Sequence, residues 1–253
     1  MKILGIIPAR YASTRFPAKA MHLIQGKTMV QRVLERSLKA SALTNVVVAT
    51  DHEIIFNHIK TLGQTPIMTL ESHPSGTDRC QEALLKTEKL FGVKYDFVVN
   101  IQGDEPFIRP AQINALCEAL SSGTELATLI KKISSEDELS DPNEVKITMN
   151  TAQEALYFSR NIIPYLHKHK RETWLQNYDF YKHVGMYAYR TDILEKITKL
   201  SVSGLEEVES LEQLRWLENG FKIKLVKTDI DSFCVDVIED LNRMDLEAFL
   251  QED

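Results

Sequence analysis

The first apolar run, ILGIIP at residues 3–8, is continuous rather than alternating, the pattern of a strand buried on both faces. Residues 28–41 change period: Met29, Val30, Val33, Leu34 and Leu38 share one helical face, with Thr28 placed to cap it. The alternation then repeats. A strand is predicted at 45–50 (NVVVAT), a helix at 52–62 that stops at Gly63, and a short strand around 66–69. Next come a helix over 77–91, opened by Thr77 and stopped by Gly92, and a strand over 96–101 (DFVVNI). A helix over 110–121 follows, with Pro110 in its first turn. Strands alternating with helices imply right-handed crossovers and a parallel sheet covered on both faces. This half predicts a Rossmann-like three-layer α/β domain.

The pattern changes after about residue 124. Stretches 125–133, 144–150, 154–158 and 182–190 read as strands with fewer helices between them, a mixed or antiparallel extension. Segment 167–183 is rich in His, Lys, Tyr and Trp without a clear period. Leu205, Val208, Leu211, Leu214 and Leu217 recur at three-residue steps, predicting one helix over 205–219 that ends at Gly220. A strand at 223–228 and a helix from about 238 to 250 complete the chain. No repeat or linker interrupts it, so the expectation is a single domain over 1–253 with residues 134–220 as an inserted lobe.

Charge sharpens this picture. The 253 residues carry 30 basic and 36 acidic side chains, a net charge of −6, which argues against a general binder of nucleic acid or anionic membrane. The average conceals an asymmetry. Residues 1–34 hold no acid but include Lys2, Arg10, Arg15, Lys19, Lys27 and Arg32, leaving 24 basic against 36 acidic residues in the remainder. The three cysteines, Cys80, Cys117 and Cys234, are far apart, odd in number and form no CxxC, which reads as buried free thiols in a reducing cytoplasm. No apolar run reaches the ~18 residues that span a bilayer. The dinucleotide GxGxxG, P-loop, nucleophile-elbow and zinc patterns are all absent.

Four segments carry candidate chemistry. In a parallel α/β sheet, ligands bind beyond the carboxyl ends of the strands, where the loop PARYASTRFPAKA must lie. Arg10, Arg15 and Lys19, with Ser13, Thr14 and free backbone N–H groups, can surround a polyphosphate there; a solvated basic loop is the alternative. Lys2, Lys27 and Arg32 read as surface charge. IQGDEP (101–106) places Asp104 at the end of a strand, aimed at the same cleft. A carboxylate facing a polyphosphate needs a divalent cation between them, and Mg²⁺ suits that arrangement; a Gly-Asp turn is the plain alternative. In CVDVIEDL (234–241), Asp236 ends a short apolar stretch, while Glu239 and Asp240 suit the N-terminus of the following helix. In SHPSGTDR (72–79), Ser75 and Gly76 precede a helix whose first N–H groups can meet a ligand, with Arg79 one turn in; ordinary capping competes.

Together, IIPARYASTRFPAK, ATDH, HPSGTDR, NIQGDEP, ALYFSR, HVGMYAYR, LEEVESLEQLR and VDVIEDL stand in the order and approximate spacing of one family. Over nearly its whole length the chain resembles the 3-deoxy-manno-octulosonate (Kdo) cytidylyltransferases, or CMP-Kdo synthetases. The resemblance implies a nucleotide-diphospho-sugar transferase fold with a dimerising lobe, hence a homodimer. It also implies a cytoplasmic enzyme that couples CTP and Kdo into CMP-Kdo and pyrophosphate for lipopolysaccharide biosynthesis, without nucleic acid or membrane insertion. By the same resemblance, Arg10, Arg15 and Lys19 hold the triphosphate, and Ser75, Gly76, Thr77 and Arg79 lie near the cytosine. Asp104 and Asp236 bind Mg²⁺, and Gln102 positions nucleotide or sugar. The implied catalytic set is Arg10, Lys19, Asp104 and Asp236. The implied sugar pocket comprises Gln102, Arg160, His183, Tyr187, Glu212 and Gln213. Other acidic sugars, such as an 8-amino analogue or sialic acid, and a silent nucleotide-binding regulator are the rival readings. Two departures stand out. The family reads PGKP where this chain has Pro17-Ala18-Lys19-Ala20, and VDTPEDL where it has VDVIEDL. A glycine can adopt positive φ that alanine reaches only at a cost, so Ala18 bears on the phosphate loop.

Overall fold

The continuous apolar run forms β1 (Ile3–Ala9), in which Leu4, Ile6 and Ile7 have no exposed surface. The structure, a computed structural model, describes residues 1–12, 16–231, 233–235 and 237–242. After β1 come β2 (Leu23–Ile24), β3 (Lys27–Thr28), α1 (Met29–Leu38), β4 (Asn45–Thr50), α2 (Glu53–Thr61) and β5 (Pro66–Met68). Then follow α3 (Gly76–Phe91), β6 (Phe97–Asn100) and α4 (Pro110–Glu118). Local chemistry sets the helix ends. Thr28 Oγ1 accepts the Gln31 N–H and opens α1. Ser75 Oγ accepts the Asp78 N–H at 3.1 Å, so α3 starts one residue before the expected Thr77, and Gly92 at φ 64° stops it.

The chain divides into two compact units. One comprises residues 1–118 with the described residues after 231; the other is Ala119–Asp231. In the first, four strands pair in the order β6-β1-β4-β5, and every pair is parallel. Registers such as Ile6↔Asn100, Pro8↔Ala49 and Thr50↔Met68 bring the carboxyl ends to one edge. The loops that follow Ala9, Thr50, Met68 and Asn100 therefore emerge together. The β2–β3 hairpin was absent from the sequence expectation. Its two turn residues, Gln25 (φ 45°) and Gly26 (φ 80°), are both left-handed, as a type I′ turn requires. Arg32, expected as surface charge, is buried: its Nε donates to the Ile24 carbonyl at 2.7 Å and secures that hairpin.

The second unit is mixed, as the change of pattern predicts. It contains β7 (Leu126–Lys132), α5 (Glu136–Ser140), β8 (Lys146–Met149), β9 (Ala155–Ser159), α6 (Trp174–Asn177) and β10 (Tyr181–Arg190). It ends with α7 (Thr191–Ile197), α8 (Gly204–Glu209), α9 (Gln213–Glu218) and β11 (Ile223–Lys227). β11 runs parallel to β7, whereas β7–β10, β10–β8 and β8–β9 are antiparallel. The irregular 167–183 segment holds α6, whose Trp174 packs among Ile133, Leu139 and Phe180.

The helix expected over 205–219 is two helices. Ser210 takes φ 54° between α8 and α9, and Val208, expected on the apolar face, is 78% exposed. Glu209 turns away to accept from Ser159 Oγ at 2.7 Å and from the Arg160 N–H at 3.0 Å. Arg215 of α9 returns a bidentate bond to Glu206 of α8. Side-chain bonding across the break thus overrides the three-residue period. The last described helix, Ile238–Asn242, covers the start of the expected 238–250 helix; residues beyond 242 lie outside the described residues.

One glycine is required by packing. A Cβ built on Gly103 would lie 2.4 Å from the Pro8 carbonyl oxygen, closer than any real contact, so the loop after β6 meets the end of β1 only without a side chain. Gly103→Ala is expected to cost about 1–3 kcal/mol, the usual range for overpacking. Thermal unfolding of the two proteins checks this, and an unchanged midpoint would remove the close-approach account.

Candidate functional site

At the carboxyl edge of the first unit lies a cleft of about 550 Å³. The end of β1 contributes Pro8, Ala9 and Arg10, the start of α3 contributes Ser75 and Gly76, and the loop after β6 contributes Gln102, Gly103 and Asp104. Lys19 closes the ring, its Nζ 2.7 Å from Asp104 Oδ2. Four segments up to 94 residues apart in sequence, from Arg10 to Asp104, thus face one space. The arrangement is an anion cradle with one carboxylate set in it: an exposed arginine, a lysine and the amino end of a 16-residue helix.

Ala18, which precedes Lys19, adopts φ 54° and ψ 30°. Alanine therefore occupies the left-handed conformation for which the family's glycine is suited. On the other side of Asp104, its backbone carbonyl accepts the Val235 N–H at 2.9 Å, tying down the residue before Asp236. Asp236 and Arg15 lie outside the described residues. The Asp240 carboxylate accepts the Val237 N–H at 2.9 Å, and Glu239 joins it in the first turn of its helix, as their sequence position suggests.

Three further neighbours had no role in the sequence reading. Glu105 is buried, its carboxyl pushed up to about 8 by burial and by Asp104 beside it, and its Oε2 has no hydrogen-bond partner. It stands beside Asp104 in GDEP, so adjacency was the available signal. Asp51 follows β4 at the same sheet edge and binds the buried Arg79 guanidinium at 2.8 Å. Its place after a strand end was the signal, as for Asp104. Tyr11, which follows Arg10, stacks on His52 with ring centroids 3.9 Å apart. Arg79 itself has no exposed surface and Thr77 is buried, while the Ser75 hydroxyl caps α3, accepting the Asp78 N–H and donating to the Asp78 carboxylate.

In the second unit, His183 and Tyr187 of β10 lie with ring centroids 5.1 Å apart. Tyr187 packs edge-on against Trp216 of α9 at 5.1 Å, and Gln213 is one turn earlier on that helix. Glu212 precedes it, close enough for its charge to raise the Tyr187 phenol, though burial is the larger cause. Tyr187 Oη, Gln213 Nε2 and Trp216 Nε1 are buried with no hydrogen-bond partner. His183 Nε2 lies 3.0 Å from Thr128 Oγ1, and burial lowers the ring to about 4. Arg160 is placed elsewhere, on an open pocket of about 470 Å³ shared with Arg171, and its Nε donates to the Glu209 carbonyl at 2.9 Å.

A parallel α/β sheet with an anion cradle at its carboxyl edge defines the nucleotide-binding class of folds. Residues 4–225 match the family model described as Cytidylyltransferase. Proteins named 3-deoxy-manno-octulosonate cytidylyltransferase are similar to this chain. That of Cytophaga hutchinsonii is 51% identical over 245 residues, covering 96% of each chain. That of Bacteroides thetaiotaomicron is 48% identical over 255 residues, covering 99% of each. A solved structure of CMP:2-keto-3-deoxy-manno-octonic acid synthetase complexed with CTP superposes with a TM-score of 0.89 at 37% identity, covering 100% of both chains. The 4-diphosphocytidyl-2C-methyl-D-erythritol synthase of Anaerococcus prevotii shares the fold, with a TM-score of 0.61 at 12% identity over 99% of this chain and 98% of that one. The chain belongs to the cytidylyltransferase family, as a member of its 3-deoxy-manno-octulosonate branch, and is a nucleotidyltransferase.

Two outcomes follow from these geometries. Alanine at left-handed φ costs about 1–2 kcal/mol, and glycine's larger unfolded-state entropy offsets roughly half of that. Ala18→Gly is therefore expected to stabilise by about 0.5–1 kcal/mol, read from the urea midpoint; a loss would contradict the strain at this residue. His183 titrates lower in the folded protein than its ordinary 6.5, so the unfolded chain takes up the proton first as pH falls. Stability is then lost between about 6.5 and 4, by no more than about 3 kcal/mol. Denaturant titrations across that range should show a shallower decline for His183→Gln; parallel curves would refute the assignment.

Proposed function

We propose that this protein transfers CMP from CTP to the anomeric hydroxyl of 3-deoxy-manno-octulosonate, giving CMP-Kdo and pyrophosphate. The observation that carries the reading is the Lys19–Asp104 pair inside the cleft shared with Arg10 and the start of α3. A cation next to a carboxylate at the carboxyl edge of a parallel sheet suits a triphosphate together with its counter-cation. The relatives' name and the CTP in the solved neighbour support the same substrates.

Arg10, Lys19 and, in this proposal, Arg15 hold the triphosphate and stabilise the charge that grows on departing pyrophosphate. The anomeric oxygen forms a bond to the α-phosphorus in line with the leaving group. The bond from that phosphorus to the bridging oxygen breaks, and the hydroxyl proton is released. Ser75, Gly76 and Gln102 orient the nucleotide. For the sugar we propose His183, Tyr187, Glu212 and Gln213; the unpartnered buried Tyr187 hydroxyl and Gln213 amide suit a polyhydroxylated ligand. Arg160, half-buried on its own pocket, suits a carboxylate less directly because its Nε is already donated to a backbone carbonyl.

The donor set suits Mg²⁺. Asp104 offers a hard carboxylate oxygen, 28% exposed on the cleft, and Mg²⁺ fills its remaining positions with phosphate oxygens and water. Among the described residues no cluster of three His, Cys, Asp or Glu forms. Asp104 and Asp236 are the residues proposed to hold it. When bound, Mg²⁺ neutralises phosphate charge and polarises the α-phosphate.

We also propose a homodimer through the second unit, where Leu156, Val202 and Val208 are exposed apolar residues. A cytoplasmic location is supported by the free thiols: Cys80 and Cys117 are buried as expected, whereas Cys234, expected to be buried, is exposed. No described helix is long and apolar enough to cross a membrane.

Pyrophosphate release with CTP, Mg²⁺ and a panel of acidic sugars tests the reading. Turnover is expected with 3-deoxy-manno-octulosonate, and none with any sugar despite CTP binding would refute it. Asp104→Asn is expected to lower kcat by about 10²-fold or more with an unchanged melting temperature. Near-normal activity in that variant would remove Asp104 from the chemistry.

A further inference from the structure

The loop carrying Arg10 has an anchor that the phosphate contacts do not require. Tyr11, the next residue, donates its backbone N–H to Asp51 Oδ1 at 3.3 Å. The other carboxylate oxygen, Oδ2, accepts from Arg79 Nη2 at 2.8 Å. Arg79 Nη1 donates to Thr69 Oγ1 at 2.5 Å, and Thr69 is tied in turn to the Thr50 carbonyl by its N–H at 2.8 Å. The Tyr11 ring lies flat on His52, 13° from parallel, and His52 caps α2. Strand ends β4 and β5, helices α2 and α3, and the loop after β1 therefore meet at one carboxylate.

Burial makes this connection directional. Arg79 has no exposed surface and the Asp51 side chain only 7%. A guanidinium in such a place is held by its partners, and cannot also swing to a ligand without leaving a buried carboxylate unpaired. Arg10, by contrast, is exposed and lines the cleft. The Arg10 charge also depresses the Arg79 guanidinium, after burial itself and against the pull of Asp51. Asp51 is what separates their tasks.

We propose that Asp51 is a positioning residue: clamped by buried Arg79, it latches the Tyr11 amide and so presents Arg10 to the nucleotide phosphates. Arg79 then serves the nucleotide through Asp51 rather than by touching the base. The role of Arg10 rests on the function proposed above; the latch itself is a property of the loop and its anchor.

The experiment reads both separately. Asp51→Ala leaves Arg79 an uncompensated buried cation, so Asp51→Ala/Arg79→Met, which removes both charges, is its companion, with Tyr11→Ala as a third variant. Hydrogen exchange is followed in the peptide containing Tyr11 and in a control peptide from β1. Exchange at Tyr11 should rise about tenfold or more in the folded Asp51 variants and stay unchanged in the control. Unchanged exchange at Tyr11 overturns the latch, whatever happens to activity.

In turnover assays, kcat/KM for CTP should fall about tenfold, since a displaced Arg10 serves neither the bound triphosphate nor the departing pyrophosphate, and Tyr11→Ala should give a smaller fall. Arg10→Ala should lower kcat/KM strongly in the wild-type background but by less than about twofold in the Asp51→Ala/Arg79→Met background. Full multiplication of the two effects overturns the claim that Asp51 acts through Arg10. If Arg10→Ala leaves the wild-type kcat/KM unchanged while Tyr11 exchange responds to Asp51, the phosphate reading fails and the latch stands.

Discussion

Parallel pairing of β1 with strands on both sides is the constraint on which the cleft depends. Because β4, β1 and β6 run the same way in a fixed register, whatever follows Ala9, Thr50 and Asn100 must emerge at one edge. Arg10, Asp51 and Asp104 are neighbours for that reason, although no local sequence preference links them. The register also fixes how tightly the loops fit. With the Pro8 carbonyl against the Gly103 backbone, the loop after β6 lies directly on the end of β1, and Asp104 follows at once. A slip of one residue would exchange the faces of every strand side chain and disperse the set.

Charges in the first unit divide into two kinds by burial. Arg79, Arg32 and Arg36 are buried, and each donates to carbonyl or carboxylate oxygens of the fold. Lys19 and Asp104 are partly exposed, at 15% and 28%, and pair across the cleft. A partly exposed pair is worth little to stability, roughly 1 kcal/mol or less, so exchanging it for a phosphate or a cation is cheap. The buried cations are costly to disturb. Structural and ligand-facing cations can thus be separated by solvent access where their residue type says nothing.

That distinction explains what was legible in the chain. The strand ends and the placement of Asp104 follow from periodicity and the rule for parallel sheets, whereas capping chemistry put the start of α3 one residue late, because Ser75 rather than Thr77 caps it. Arg10 and Lys19 were found from an acid-free stretch, and the cleft unites them. The same stretch could not show that Arg32 faces inward, because burial of a cation depends on carbonyls supplied by a hairpin that sequence pattern did not reveal. The Gln25-Gly26 turn was a faint signal, with only one glycine for two left-handed residues. At Ser210 the failure has another cause. Leucines at three-residue spacing suit one helix or two packed helices equally, and the Glu209 and Arg215 bonds that decide between them are tertiary. Asp51 escaped notice for want of a partner: its task appears only once Tyr11 and Arg79 are placed on either side of it.

The second unit poses the opposite problem, polar groups without partners. A phenol hydroxyl, a carboxamide and an indole N–H are all buried around Tyr187 and α9, where leaving each unbonded costs about 1–3 kcal/mol. Packing alone would favour Phe, Leu or Met at such positions, with the same apolar volume and no desolvation penalty. Three donors retained in one aromatic cluster are therefore expensive to the fold and become favourable only when a polar molecule meets them. His183 adds a constraint of its own, since burial keeps its ring neutral near pH 7 and leaves one nitrogen able to accept and the other to donate. Nε2 is engaged with Thr128 Oγ1, which leaves at most one ring nitrogen for a ligand, and an uncharged ring suits a hydroxyl group better than a bare anion. The chemistry of this cluster and that of the cation-lined cleft are complementary: one suits a polyol, the other a polyphosphate.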